Sequence, residues 1–150
     1  MQRLVEGQVL SRRDIAVLFG GNARAFLPRV NGGDIVAGCF DPDMNPRVPY
    51  EILVHDAPNA ILNAQRFLEQ SHLDRRNPKS KIPNPKLGVP VFLRRAPNVW
   101  EYVGRYRAVS YTEDPDQVSI RIYEIRPRIY ERHVKAYGHV RGILFLEEAN

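Results

Sequence analysis

One stretch of the chain, PVFLRRAPNVWEYVGRYRAVSY at residues 90–111, constrains the fold more than any other. Its side chains alternate in character through Val91 and Leu93, and the alternation resumes at Trp100. A period of two is typical of a strand with one buried face, and residues 96–98 between the two runs include turn formers. The stretch therefore predicts two antiparallel strands joined by a tight turn.

The second of these strands has two chemically different faces, because successive side chains of a strand point to opposite sides. Alternation assigns Glu101, Val103, Arg105 and Arg107 to one face and Trp100, Tyr102, Gly104 and Tyr106 to the other. We expect one face to pack within the protein and the other to be exposed. Arginines bind phosphates and aromatic rings stack on bases, so this concentration indicates a nucleic-acid partner.

The first half of the chain carries signals for two helices. Ser11 is a typical N-cap and Gly20 a typical C-terminal residue, which predicts a short helix between them. Asp56 predicts the cap of a second helix with Pro58 in its first turn, and apolar residues recur at helical spacing as far as Leu68. The second pattern is the clearest helix in the chain.

Strands are predicted at residues 34–40, 52–54 and 142–146, where short apolar runs occur. Residues 116–130 fit both a strand and a helix, but residues 114–116, Asp-Pro-Asp, are a helix-opening sequence and favour the helix. The expected fold class is therefore α+β, with a small, strongly bent β-sheet flanked by two or three helices.

The length and composition are those of one globular domain, residues 1–150, with 43% hydrophobic and 26% charged residues. No apolar run approaches the ~20 residues of a membrane span, and the N-terminal residues have no apolar signal core. The single cysteine, Cys39, cannot form an internal disulfide. We expect a cytoplasmic protein without a membrane partner, and association with the nucleoid is also compatible.

The chain is basic, with 22 Lys and Arg against 17 Asp and Glu and a sequence pI of about 9.6. Residues 74–86, DRRNPKSKIPNPK, hold five basic residues, one acid and three prolines, which predicts an exposed, mobile basic loop. We expect this loop and the arginines of the strand pair to contact phosphates. The predicted phosphate contacts are Lys79, Lys81, Lys86, Arg94, Arg95, Arg105 and Arg107.

A proline-rich loop, FDPDMNP at residues 40–46, carries two acids that are one residue apart. Asp41 and Asp43 can hold a metal ion or hydrogen-bond to the edge of a base. They can also cap the turns around the prolines, as Asn45 can. The residues leave these alternatives open.

The sequence predicts no catalytic residues, no metal site and no cofactor. His55, His72, His133 and His139 do not have the spacing of a helical metal site, and no glycine-rich phosphate loop is present. Cys39 lies in an apolar segment and is expected to belong to the core.

Two other function classes fit some of the residues. A metal-dependent hydrolase would use Asp41 and Asp43, and a toxin-like RNase would use His55, His133 or His139 as acid or base. An interaction module would pair its aromatic strand or its C-terminal strand with a partner protein or a second copy.

The run at residues 90–111 resembles the core of the SRA and related PUA-like domains, which read modified DNA. In these domains a strand of form P-V-x-x-x-R leads through a turn to a Y-x-G-x-Y-x-V strand. The matching residues are Pro90, Val91, Arg94 or Arg95, Tyr102, Gly104, Tyr106 and Val109, with Val103 where the family usually has Asp. The overall order, from LFGG through GCFDPDMNP and WEYVGRY to LFLEEA, also resembles a poorly characterised bacterial and fungal domain family.

The first resemblance implies a PUA-like β-barrel as the alternative to an open sheet. It also implies a concave face in which an aromatic ring stacks on an extruded base while an acid or amide bonds to its Watson–Crick edge. The implied base-pocket residues are Phe40, Asp41, Asp43, Asn45, Trp100, Tyr102 and Tyr106. We therefore expect a nucleic-acid-binding domain, with DNA favoured over RNA and a modified or flipped base as its target; a homodimer or a separately encoded effector is also compatible.

Overall fold

The computed structural model describes residues 4–30, 33–45, 47–72, 88–125 and 140–149. Predictions for the basic loop at residues 74–86 and for the end of the helix predicted at residues 116–130 lie outside these described residues.

Helices and strands both contribute to the described part of the chain, which confirms the α+β class. The elements are β1 (Val9–Leu10), α1 (Arg12–Phe19), β2 (Gly38–Phe40), β3 (Glu51–His55), α2 (Pro58–Ser71), β4 (Val89–Ala96), β5 (Val99–Thr112), α3 (Pro115–Ile125) and β6 (Val140–Glu148). The predicted strand pair is present as β4 and β5. No helix within the described ranges is long and apolar enough to cross a bilayer.

The strands form one mixed sheet in the order β2-β4-β5-β6-β3, with β1 also paired to β5. β2 and β4 are parallel, and the other pairs are antiparallel. The described strands do not close into a barrel, so the open sheet is the observed one of the two predicted architectures. β6 lies between β5 and β3, and it is therefore not an edge strand that could pair with a partner.

A bulge at Val103, near the middle of β5, changes which side chains share a face. Val91 of β4 pairs with Gly104, whereas the next residue, Phe92, pairs with Tyr102. One extra residue in β5 inverts the alternation of its side chains and increases its local twist. A bulge of this kind bends the strand that carries it.

This inversion makes the predicted division of β5 into two faces wrong. Tyr106 packs in one apolar cluster, whereas Trp100 and Tyr102 pack in another on the opposite face. Arg105 pairs with Pro90 and so lies on the face that carries Trp100 and Tyr102. The sequence-based prediction had placed Arg105 on the opposite face from Trp100 and Tyr102, and Tyr106 on the same face as these two rings.

Three apolar clusters hold the helices against the two faces of the sheet. α2 packs through Phe67 into the largest cluster, on the face that Val91 shares. On the opposite face, α1 packs through Ile15 against Phe92, and α3 packs through Val118 against β3 and β6. Because neighbouring residues of β4 belong to different clusters, this strand is buried on both faces.

Local signals account for the helix boundaries. Ser11 Oγ accepts a hydrogen bond from the Asp14 N–H at 3.0 Å, and Gly20 ends α1 with a φ of 85°, as predicted. Pro58 is the first residue of α2, but the prediction that Asp56 caps this helix is wrong. Ala57 is the N-cap, and its methyl side chain cannot make a capping hydrogen bond. The fixed φ of Pro58 suits the first turn of the helix.

The strand predicted at residues 34–40 is observed only at Gly38–Phe40. Ahead of it, Ile35 hydrogen-bonds to the side chain of Gln70 in the last turn of α2. Gln70 Oε1 accepts the Ile35 N–H at 2.7 Å, and Gln70 Nε2 donates to the Ile35 carbonyl at 2.9 Å. Gln70 is only 3% exposed, and its amide supplies both bonds that a neighbouring strand would otherwise make.

Replacing Gln70 by alanine leaves a buried N–H and a buried C=O of Ile35 without partners. We expect the free energy of unfolding to fall by about 2–4 kcal/mol, since each unpaired buried group costs ~1–3 kcal/mol. Urea denaturation followed by Trp100 fluorescence measures the change. Gln65→Ala, at an exposed position of the same helix, is the control and should cost less than about 0.5 kcal/mol. Equal losses in both variants would contradict this role of Gln70.

Candidate functional site

The FDPDMNP loop forms a tight turn around Asp41. The Asp41 carbonyl accepts hydrogen bonds from the N–H groups of Met44 at 3.0 Å and Asn45 at 2.9 Å, and its Oδ1 accepts the Asp43 N–H at 3.0 Å. Its other carboxylate oxygen, Oδ2, lies 3.7 Å from Nη1 of Arg94. The hydrogen bonds within the loop cap its turn. The contact with Arg94 joins the loop to β4.

Asn45 hydrogen-bonds to the outer strand of the sheet. Its Oδ1 accepts the N–H of Leu53 in β3 at 2.8 Å. A strand at the end of a sheet has backbone groups without a neighbouring strand, and a side chain that binds them blocks pairing with another chain. Asn45 thus covers part of this edge, whereas the side chain of Asp43 is exposed.

The four aromatic residues of the implied base pocket lie in the core. The exposed fractions are 1% for Phe40, 9% for Trp100, 8% for Tyr102 and 5% for Tyr106. Phe40 and Tyr106 belong to the cluster under α2, and the other two belong to the cluster under α1. The structure therefore does not bring these rings to one surface. The bulge separates Tyr106 from the other two rings of β5, and Phe40 of β2 packs on the face of Tyr106.

Two of these rings also have polar neighbours within the protein. The guanidinium of Arg12 lies 5.1 Å from the centre of the Trp100 ring, a cation–π contact. Burial, reinforced by the neighbouring hydroxyl of Tyr50, raises the pKa of Tyr106 to about 12. The hydroxyl of Tyr106 is therefore protonated at neutral pH.

All four predicted arginines of the strand pair contact groups of the protein itself. Arg95 Nε donates to Glu101 Oε1 at 2.6 Å, and Arg107 Nε donates to Glu147 Oε1 at 2.6 Å. Arg105 Nη2 donates to the Gly88 carbonyl at 2.8 Å, and Arg94 is the partner of Asp41 described above. The ion pairs of Arg94, Arg95 and Arg107 are partly exposed. Such pairs contribute only ~0–1 kcal/mol, so a phosphate can compete for these arginines.

A cleft of about 300 Å³ lies where the end of α2 meets β5 and β6. Its lining residues are Ser71, His72, Arg107, Ala108, Val109 and Glu147. β5 has a second bulge here, since its register with β6 shifts between Ala108 and Ser110. Ser71 Oγ accepts the Ala108 N–H at 2.9 Å and fixes the end of α2 against the bulge.

The His72 side chain contacts β5 in this cleft, with 3.3 Å between its Nε2 and the carbonyl oxygen of Val109. A carbonyl oxygen only accepts hydrogen bonds, so Nε2 carries the proton and Nδ1 has the lone pair when the ring is neutral. Sequence reasoning did not group His72 with Arg107 and Glu147. No local signal joins them, because the cleft depends on the bulge.

The other predicted residues that the structure describes do not line this cleft. His55 is exposed at the end of β3, and the predictions for Lys79, Lys81, Lys86, His133 and His139 lie outside the described residues. Among the residues that are described, no three His, Cys, Asp or Glu side chains group as metal ligands would.

Comparison with known proteins finds one family. The model of DUF6697, a domain of unknown function, matches residues 9–119, which run from β1 into α3. No curated protein and no solved structure matches the chain. The match does not link the chain to SRA or PUA-like domains.

Asn45→Ala removes the acceptor of the Leu53 N–H. We expect it to lower the free energy of unfolding by about 1–2 kcal/mol, which is the usual effect of a lost partly buried hydrogen bond. Asp43→Ala, two residues away and exposed, is the control and should change stability by less than about 0.5 kcal/mol. Chemical denaturation of both variants makes the comparison, and a larger loss for the Asp43 variant would contradict this assignment.

Cys39 should be unreactive in the folded protein. It is 3% exposed, and burial raises the pKa of its thiol to about 12, although the nearby Arg12 acts in the opposite direction. The thiolate is the reactive form, so iodoacetamide at pH 8 should label the native protein at least about a hundredfold more slowly than the protein in guanidinium chloride. Mass spectrometry follows the labelling. Similar rates in both states would show that Cys39 is accessible.

Proposed function

We propose that this chain, which belongs to the DUF6697 family, binds nucleic acid, with DNA favoured over RNA. The proposed contacts are made to phosphates by the arginines of β4 and β5 together with the basic segment between α2 and β4. The proposed residues are Lys79, Lys81, Lys86, Arg94, Arg95, Arg105 and Arg107.

The main support for the proposal is the position of the two described residues that flank residues 73–87, His72 and Gly88. Before this segment, His72 contacts the Val109 carbonyl of β5. After it, the Gly88 carbonyl accepts a hydrogen bond from Arg105, also in β5. The described residues on either side of the basic segment, His72 and Gly88, therefore both contact the stretch of β5 that carries the arginines predicted to contact phosphates.

The distribution of charge supports the same proposal. The described residues include twelve arginines and fifteen Asp and Glu, so they are not basic as a group. Residues 73–87 hold five basic residues and one acid, residues 126–139 hold four basic residues and one acid, and all four lysines of the chain lie in these two segments. Concentrated positive charge attracts a polyanion more strongly than the same charge spread among acids.

Modified duplex DNA is the first ligand to test, because the hairpin of β4 and β5 carries the residues that resemble the SRA pattern. The rings at Phe40, Trp100 and Tyr102 are packed in the core, so a pocket at these positions would need their neighbours to move. Binding to the phosphate backbone needs no such movement. Recognition of a modified or flipped base therefore requires a rearrangement of the core that phosphate binding does not require.

The charge variant Lys79→Ala/Lys81→Ala should weaken binding to both plain and modified duplexes. Each lost phosphate contact should reduce the slope of log affinity against log salt by about 0.9 for duplex DNA. Fluorescence anisotropy at several salt concentrations measures affinity and slope for DNA and RNA strands.

The matched control is Arg13→Ala/Arg24→Ala, which removes the same charge from two exposed positions in the N-terminal part of the chain. It should leave the slope within about 0.3 of the wild-type value, since net charge alone acts weakly at a distance. Equal effects of the two variants would contradict a localised contact. No salt-sensitive binding to any DNA or RNA at low salt would overturn the proposed function.

A further inference from the structure

The helix α3 contacts the sheet through a small apolar surface. Val118, which is 7% exposed, packs against Leu53 of β3 and Ile143 of β6, with Ile122 beside them. Tyr123, the next residue along the helix, is 75% exposed. The helix α2, by contrast, packs into the largest apolar cluster of the described residues. Because stabilisation by burial is proportional to the apolar area removed from water, apolar contacts hold α3 less firmly than α2.

Four charged side chains join α3 to β3 and to the loop before it. Arg121 Nε donates to Glu51 Oε1 at 2.6 Å, and Arg47 Nη1 donates to Glu51 Oε2 at 3.3 Å. Arg47 also donates to Glu124 of α3, from Nε to Oε2 at 3.2 Å and from Nη2 to Oε1 at 2.8 Å. Positive and negative groups therefore alternate along the series Arg121, Glu51, Arg47 and Glu124, which we call the ion-pair chain.

Glu51 is the central member of the ion-pair chain. Each of its carboxylate oxygens accepts from a different arginine, and its side chain is only 15% exposed. Glu124 contacts one arginine and is 34% exposed, so its pair with Arg47 contributes less. Without the charge of Glu51, the guanidinium groups of Arg47 and Arg121 would face the same position with no negative group between them. The attachment of α3 therefore depends on Glu51 more than on Glu124.

We propose that α3 is a strap that opens from the sheet as a unit while the core stays folded, and that the ion-pair chain holds it closed. Segments with few buried apolar contacts open independently of the core of a protein. Opening of α3 would uncover Leu53 and Ile143, which pack against Val118 when the strap is closed. The inference concerns the fold and does not depend on the proposed nucleic-acid binding.

Amide hydrogen exchange of the full chain, followed by NMR for individual residues, tests the strap. The amides of residues 119–124 report on α3, and those of residues 64–70 report on α2. In the wild-type protein we expect the α3 amides to exchange at least about tenfold faster than the α2 amides, because α3 opens by itself. They should still exchange more slowly than in an unfolded peptide of the same sequence, because the ion-pair chain keeps the strap closed most of the time.

Glu51→Gln keeps the shape of the side chain and removes the negative charge between the two arginines. It should speed exchange in α3 by at least about tenfold and leave exchange in α2 within about twofold of the wild-type rate. Glu124→Gln, which loses one partly exposed pair, should speed exchange in α3 by only about threefold. The matched control is Glu101→Gln, which alters the pair with Arg95 in the hairpin of β4 and β5 and should change neither helix.

Two results would overturn the inference. A single common exchange rate for α2 and α3, in the wild type and in Glu51→Gln, would show that α3 opens only when the whole protein unfolds. Unchanged exchange in α3 of Glu51→Gln, or a larger increase in Glu124→Gln, would show that the ion-pair chain does not hold the strap. If Glu51→Gln does not fold, Glu124→Gln and the wild type in about 1 M NaCl replace it, since salt screens the exposed pair. Both should speed exchange in α3 alone, and no change in either would overturn the inference.

Discussion

Gln70 and Ser71, adjacent in the last turn of α2, hydrogen-bond to backbone groups of Ile35 and Ala108. These backbone groups are buried, and each would cost ~1–3 kcal/mol without a partner. The end of α2 is therefore fixed against two distant segments at once. This position sets how α2 covers the main core, and it also brings His72 to the wall of the cleft.

The bulges of β5 determine what the long hairpin can present to a partner. Without the bulge at Val103, the aromatic rings of β5 would share one face and could form a stacking surface. With it, Trp100 and Tyr102 pack under α1 while Tyr106 packs under α2, and the rings stabilise two cores instead. The second bulge, near Val109, opens the cleft beside α2.

Charge is divided between the described elements and two segments of the sequence. Several arginines in the described elements form ion pairs with acids, as Arg95 does with Glu101. Such pairs place charged groups on the sheet surface without giving it a strong positive charge. The excess of positive charge in the sequence belongs to residues 73–87 and 126–139. Binding to phosphates would therefore depend on these two segments more than on β4 and β5. The residues that resemble modified-DNA readers lie in β4 and β5.

The sequence by itself determined the elements whose signals are local. Ser11 and Gly20 bound α1, the hairpin of β4 and β5 turns at residues 97–98, and the helix-opening residues 114–116 begin α3. These signals act over a few residues, so alternation, capping and turn propensity suffice to predict them. The α+β class followed from the same signals.

Only the tertiary structure decided which faces are buried and where a site forms. A bulge depends on the register of partner strands, and a single extra residue reverses every side chain after it. The cleft joins His72 to Val109 across 37 residues and Arg107 to Glu147 across 40, distances at which no periodicity relates one residue to another. Sequence reasoning therefore predicted phosphate contacts for the arginines of β5, but it did not single out Glu147 and His72, which line the same cleft as Arg107.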